Sequence, residues 1–216
     1  MSAHRLLVCC LTMASAIAPA EGQDPQNPNR VGTSAFSIEP PAGKGWTLSV
    51  RSDSLGLQFV HAKHGIPGMP GISKPEEITI SVIVDSTTDE NAARGEQAVA
   101  QDFIDQEEAG LRAETRRSFS EDVTLRKVER RVDSTGVYRL YVFEASMRVA
   151  TWSAAGQNDQ QLDLYFPPDF GTRGQFFAFH MSRIRPGKNG WDENAFKVLR
   201  QVIASFRDQR SRAGAK

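Results

Sequence analysis

The chain has 216 residues, of which 39% are hydrophobic, and its 26 basic and 26 acidic residues give a formal charge of zero. A balanced charge argues against a general nucleic-acid or anionic-membrane surface, so we expect no nucleic-acid partner. Both cysteines, Cys9 and Cys10, lie near the start. Residues 21–216 therefore have no disulfide, thiol nucleophile or thiolate metal site.

The first twenty residues have the pattern of a cleaved secretion signal. Arg5 precedes the uncharged run 6–18, and small residues follow at 18–20. The run is shorter than the roughly twenty apolar residues of a membrane span, so we expect no transmembrane anchor. A lipoprotein anchor at Cys10 is disfavoured because cleavage there would leave only residues 6–9 as the apolar stretch. We predict export to the periplasm or the medium.

Alternating apolar residues predict three strands at the start of the folded body. They cover residues 36–38, 46–50 and 55–59, and a proline pair at 40–41 ends the first. Residues 78–84 are almost all β-branched, which is typical of a strand covered on both faces. The predicted leader before these strands spans 21–34.

A helical period follows, with Asp89 as the expected N-cap. The apolar stripe of this middle helix consists of Ala92, Val99, Ala100, Phe103, Ile104 and Leu111. A second amphipathic helix is predicted over 191–206 because apolar residues recur there three and four positions apart.

Four more strands are predicted between the two helices, over 123–132, 137–150, 161–166 and 175–184, with turns at 133–136 and 155–159. Short connections favour antiparallel pairing, because a parallel pair needs a long crossover. We predict one α+β domain over 35–207, followed by a polar tail over 208–216. Its antiparallel sheet of about six to eight strands lies between two helices.

The order of elements resembles the PsbP/Mog1-like fold family, of an exported bacterial type of unknown function. The resemblance rests on Phe36-Ser37-Ile38-Glu39-Pro40-Pro41, on Gly45-Trp46, on the long middle helix and meander, and on the ending Ile203-Ala204-Ser205-Phe206. It covers residues 35–207. It implies an α-β-α sandwich and a non-enzymatic binding or assembly role. We expect no cofactor.

Candidate site residues fall into three groups. His61 and His64 could bind a metal ion if the chain bends between them, although residues three apart on a strand face opposite sides. An apolar contact surface is predicted in the Gly/Pro-rich loop 64–75. Arg126 and Arg130 belong to a basic group that could hold an acidic partner. The residues of the apolar contact surface in the loop 64–75 are Ile66, Met69 and Ile72.

No catalytic residue is expected, because the sequence has neither a nucleophile elbow nor an HExxH motif. We predict a secreted or periplasmic binding or envelope-assembly protein, whose partner is another exported or envelope protein. Two alternatives stay open. One is a small-ligand or metal carrier with a concave apolar pocket, whose ligand lies over the sheet beside Trp46 or the loop 61–75. The other is a hydrolase in which His61, His64 or His180 meets a serine and a carboxylate. The oligomeric state stays open as well.

Overall fold

The structure is a computed structural model that describes residues 29–51, 55–62, 77–117, 121–132, 139–151, 154–186 and 196–210. Its strands are β1 Val31–Gly32, β2 Phe36–Ile38, β3 Trp46–Val50, β4 Gly56–Ala62, β5 Glu77–Ser86, β6 Glu121–Val132, β7 Arg139–Thr151, β8 Ala154–Phe166, β9 Gln175–Pro186 and β10 Arg207–Asp208. Its helices are α1 Asp89–Ala93, α2 Glu96–Arg117, α3 Phe170–Arg173 and α4 Lys197–Ala204. The signal predicted over 1–20 lies outside these residues.

Seven strands form the main sheet, in the order β3-β4-β5-β9-β8-β7-β6. Every neighbouring pair is antiparallel. A smaller sheet has the order β1-β2-β10. The prediction of an α+β fold, with an antiparallel sheet of about six to eight strands between helices, is confirmed.

Helices cover both faces of the main sheet. Successive side chains of β9 point to opposite faces, so this strand contributes to the hydrophobic core on each side. Phe177 and Phe179 belong to the core beneath α4 and β2, whereas Phe176 and Ala178 belong to the core beneath α1, α2 and α3. We call the two sides of the sheet the α4 face and the α2 face. A strand that is apolar on both sides is expected in the middle of a sandwiched sheet, which is where β9 lies.

The middle helical region is interrupted, which the sequence analysis did not anticipate. Its predicted stripe is buried as expected at Ala92, Val99, Ala100 and Ile104. However, α1 ends before Gly95, whose φ of 88° is left-handed, and α2 begins after it. The N-cap is Thr88 rather than Asp89, because the Thr88 side chain accepts a hydrogen bond from the Asn91 amide.

The turn predicted at 155–159 is wrong. Strand β8 already begins at Ala154, and each residue from 154 to 166 is paired with β7. The local turn signal of Gly156, Gln157 and Asn158 is therefore overridden by pairing with strands on both sides. The other predicted turn, 133–136, lies outside the described residues.

The last helix is shorter than predicted. It runs from Lys197 to Ala204 after the cap residue Phe196, and residues 191–195 lie outside the described part of the chain. The short helix α3 was missed. None of the helices in the described ranges is long and apolar enough to cross a membrane.

Both ends of the described chain take part in the fold, which corrects the predicted leader and tail. Strand β1 pairs with β2, although it lies within the leader predicted over 21–34. Asp208 pairs with Phe36 on the other side of β2, although the tail was predicted to begin there. Arg210 follows, with its guanidinium 4.3 Å from the Phe177 ring centre. Strands of two residues carry no periodic signal, so neither end could be recognised from sequence.

The N-terminal end is held by a buried arginine. Arg30 is only 1% exposed, and it donates hydrogen bonds to the carbonyl oxygens of Ser37 and Ser205 and to the Ser37 hydroxyl. Ser205 follows the last residue of α4, so one of the two carbonyls that the guanidinium binds is at a helix C-terminus, where positive charge is favoured. Arg30 thus joins β1, β2 and α4.

Candidate binding edge

The predicted site residues fall at opposite edges of the main sheet. Trp46 begins β3, the strand at one edge, whereas Arg126 and Arg130 lie in β6 at the other. Six inter-strand spacings of about 4.8 Å place these edges about 29 Å apart. Arg130 pairs with Tyr141, and Arg126 lies at a register shift between Leu125 and Lys127. The residues of the loop surface, Ile66, Met69 and Ile72, lie outside the described residues, as does His64.

Trp46 and His61 are brought together as a register pair of β3 and β4. Their ring centres are 5.1 Å apart, and Trp46 Nε1 donates to the carbonyl oxygen of Ala42 at 3.2 Å. Gly45 permits this packing for two reasons. Its φ of 91° favours glycine, and a Cβ there would lie 3.1 Å from His61 Nε2. His61 thus supports the tryptophan ring.

No metal centre is formed by the described residues. They contain no group of three or more histidine, cysteine, aspartate or glutamate side chains placed to hold an ion. The pairing of His61 with His64 stays a prediction because His64 lies outside the described part of the chain.

The backbone of β3 presents alternate residues to the outside of the sheet. Arg51 N–H donates to Gly56 C=O, so this register pair is a hydrogen-bonded one. Because such pairs alternate along an antiparallel ladder, Ser49 and Thr47 also bond to β4. The N–H and C=O groups of Trp46, Leu48 and Val50 then point away from β4. Among the described residues, no strand pairs with β3 on that outer side.

The side chains of this edge are apolar on one face and hydroxylic on the other. Trp46 and Leu48 are half-buried and pack against the core of the α4 face. Val50 is 44% exposed, and Leu55, just before β4, is 48% exposed. Thr47 and Ser49 are exposed on the opposite face. We call the five residues of β3 with their outward backbone groups the β3 edge.

A row of buried polar residues on β8 was missed by the sequence analysis. Asp159, Gln161 and Asp163 lie at alternate positions and are at most 3% exposed, and Leu162 and Leu164 follow the last two of them. Gln161 Nε2 donates to Asp163 Oδ1 at 2.9 Å, while Gln161 Oε1 has no hydrogen-bond partner. Polar residues that alternate with leucines in the sequence are the signal that could have located this row.

The imidazole of His180 lies beside an amide side chain. Its Nε2 lies 3.1 Å from Gln160 Oε1, which is an amide oxygen rather than a serine or carboxylate. A little of the side chain is accessible, but protein atoms surround the ring, and this burial lowers the pKa of His180 to about 4. The imidazole is therefore neutral at physiological pH.

A shallow groove of about 420 Å³ lies between the segment after β2 and the end of α4. Its lining mixes polar and small apolar residues, namely Glu39, Pro40, Ala42, Gln201, Ala204 and Ser205. Its lining is more mixed than that of the concave apolar pocket that the carrier alternative predicts.

Comparisons with known proteins give matches to solved structures alone. No protein-family model matches the sequence, and no curated protein matches it. The fold is similar to cyanobacterial PsbP (CyanoP) from Synechocystis sp. PCC 6803, with a TM-score of 0.42, 12% identity, and coverage of 77% of this chain and 94% of that chain. It is also similar to LpqN of Mycobacterium tuberculosis, described as involved in cell envelope biogenesis, with a TM-score of 0.36 and 9% identity. That likeness covers 81% of this chain and 84% of LpqN.

The first of these structures carries the name of the family that the sequence resembles. Identities of 12% and 9% carry no function from either protein to this chain.

Proposed function

We propose that this chain is an exported, non-enzymatic binding protein of the cell envelope, and that the β3 edge receives an extended segment of a protein. The observation that carries the proposal is the outward direction of the N–H and C=O groups of Trp46, Leu48 and Val50. Such groups form the ladder by which an added strand extends a sheet.

The chemistry of the edge supports an extended peptide rather than a helix or a small molecule. Main-chain hydrogen bonds give an added strand its affinity, and alternate side chains give it specificity. Apolar residues at 46, 48 and 50 favour a segment with apolar residues at every second position. Neither Lys nor Pro, which commonly protect exposed edges from pairing, occurs within β3.

The secretion signal predicted over 1–20 supports an extracytoplasmic location. The balanced charge supports a protein partner rather than a nucleic acid. The location is tested by N-terminal sequencing of the exported protein, which we expect to begin at Glu21.

Binding at the β3 edge is tested with the substitution Val50→Pro. Proline removes the outward N–H of Val50 but no hydrogen bond to β4, and the side chain at this position is already 44% exposed. Val50→Thr is the matched control, because threonine is β-branched and keeps the N–H. A photoreactive residue at Thr47 reports contact, and one at the exposed Gln106 on α2 reports non-specific capture.

We expect crosslinking from position 47 to be retained in the Val50→Thr protein and lost in the Val50→Pro protein. Position 106 should give no crosslink in either protein. Equal crosslinking from position 47 in both proteins, or crosslinking from position 106 alone, would overturn edge binding. Circular dichroism and urea unfolding of the two variants verify that both are folded.

The small-ligand carrier is the second candidate, and the groove beside Glu39 and Ser205 is the observation that favours it. Native mass spectrometry of the exported protein tests it. A bound molecule that is lost on denaturation and displaced by Ala204→Trp, within the groove, would support the carrier. Crosslinks from position 47 that survive this substitution would separate the two candidates.

A further inference from the structure

We infer that the segment received by the β3 edge is β3 of a second copy of this chain, so that two main sheets join across a two-fold axis at Leu48. This inference rests on the proposed function, because it names the partner of the same edge. Its basis is the self-complementarity of β3, in backbone and in side chains.

The backbone fits an antiparallel copy of itself in one best register. The N–H and C=O groups that point outward belong to residues 46, 48 and 50. Hydrogen bonds between two copies therefore require that each of these residues lies opposite one of the same three in the second copy. If Leu48 pairs with Leu48 of the second copy, Trp46 pairs with Val50 of that copy, and Val50 with its Trp46. All three outward residues of each strand are then used, and the strands form three hydrogen-bonded pairs.

The side chains are complementary in the same register. On the α4 face, Trp46 of each copy lies opposite Val50 of the other, and an aromatic residue beside a β-branched one is a favourable cross-strand pair. This contact would cover the valine that is 44% exposed in a single chain. On the opposite face Thr47 and Ser49 lie across from each other, and hydroxyl residues in that position can share hydrogen bonds.

The charges near the edge do not oppose this arrangement. In this register Arg51 lies opposite Gly45 of the second copy, so no two like charges face each other directly between residues 45 and 51. A two-fold pairing also consumes both β3 edges and leads to a closed pair of chains rather than a fibre.

The size of the contact sets the expected strength. A strand of five residues is small beside the roughly 1,200–2,000 Å² that stable complexes bury. We therefore expect a reversible dimer whose population rises with protein concentration. Sedimentation velocity over a hundredfold concentration range measures this directly, and Val50→Pro should keep the protein monomeric throughout.

Disulfide trapping tests the register. Cys9 and Cys10 are replaced by serine in the full chain, so that Leu48→Cys or Val50→Cys gives a single thiol. Cα atoms of a hydrogen-bonded pair are about 5.5 Å apart, which a disulfide spans. In the proposed register the two copies of residue 50 are offset by four residues, about 14 Å along the strand, which is too far. Val50 is more exposed than Leu48, so random collisions would favour the wrong variant.

We expect Leu48→Cys to form a disulfide-linked dimer under mild oxidation and Val50→Cys to stay monomeric. A protein that is monomeric at every concentration and forms no Leu48→Cys disulfide overturns the self-pairing. So does equal trapping at both positions. Self-pairing can fail while edge binding stands. This is the case if the photoreactive residue at Thr47 captures a different protein and Val50→Pro abolishes that capture. If both measurements are negative, both proposals fall.

Discussion

The Arg30 contacts predict that Arg30→Ala strongly destabilises the protein. The guanidinium is 1% exposed, and Nη2 donates to the carbonyl of Ser37 at 2.8 Å and to that of Ser205, while Nε donates to the Ser37 hydroxyl at 3.2 Å. Truncation leaves these acceptors without their donor. Each buried group that loses its partner costs about 1–3 kcal/mol. The two carbonyls alone therefore predict a loss of about 2–4 kcal/mol in the free energy of unfolding. The upper value is below the sum of the two penalties, because water entry and the removal of a buried charge offset part of the cost.

Urea unfolding followed by tryptophan fluorescence measures this loss, with the m-value as a check on two-state behaviour. Glu39→Gln is the matched control. Glu39 Oε1 lies 3.5 Å from Arg30 Nη1, but the Glu39 side chain is 58% exposed, so its removal should cost less than about 1 kcal/mol. A loss below about 1 kcal/mol for Arg30→Ala, or an equal loss for both variants, would refute the conclusion that residues 30–32 are part of the folded core.

Three further predictions concern glycine positions and pH. Gly45→Ala should destabilise the protein by about 1–3 kcal/mol, because its φ of 91° is left-handed and the new Cβ would lie 3.1 Å from His61 Nε2. Gly43→Ala is the control and should cost less in the same urea experiment. Its φ is 105°, but nothing lies within 4 Å of its Cβ position. Gly174→Ala should be more harmful still, because its Cβ would lie 2.7 Å from a backbone oxygen, and a melting temperature equal to that of the parent protein would contradict this. The pKa of His180 is lowered from 6.5 to about 4, so the unfolded chain takes up a proton between these values while the folded chain does not. The free energy of unfolding should therefore fall by about 3 kcal/mol as the pH is lowered from 6.5 to 4. His180→Gln should remove this part of the pH dependence. If the pH dependence of the variant is unchanged, His180 is not its cause.

Local patterns predicted the elements that are periodic over several residues. The alternation in Trp46–Val50 and the β-branched run at 78–84 both correspond to strands, and the stripe around Ile104 corresponds to the buried side of a helix. These patterns are local because the side-chain period of a strand or helix is visible within one turn or a few residues.

Features that depend on distant pairing could not be predicted in the same way. The turn signal at Gly156 was misleading because the flanking strands determine that backbone. Arg30 looked like part of a polar leader, since its acceptors belong to residues 7 and 175 positions away. Trp46 was selected as a site residue, but that its strand lies at the edge follows only from the order of all seven strands.

The small sheet makes the order of folding depend on the far end of the chain. Strand β2 lies between β1 and β10, and its contact with β10 joins Ser37 to Arg207, which are 170 positions apart (207 minus 37). Closing so long a loop is slow compared with forming the neighbouring hairpins. In a nascent chain that ends before Arg207, β2 has only one neighbouring strand instead of two. Phe36 of β2, which packs against Phe177 in the aromatic core, is then held from one side only. The small sheet can therefore be completed only after residue 208 has been synthesised.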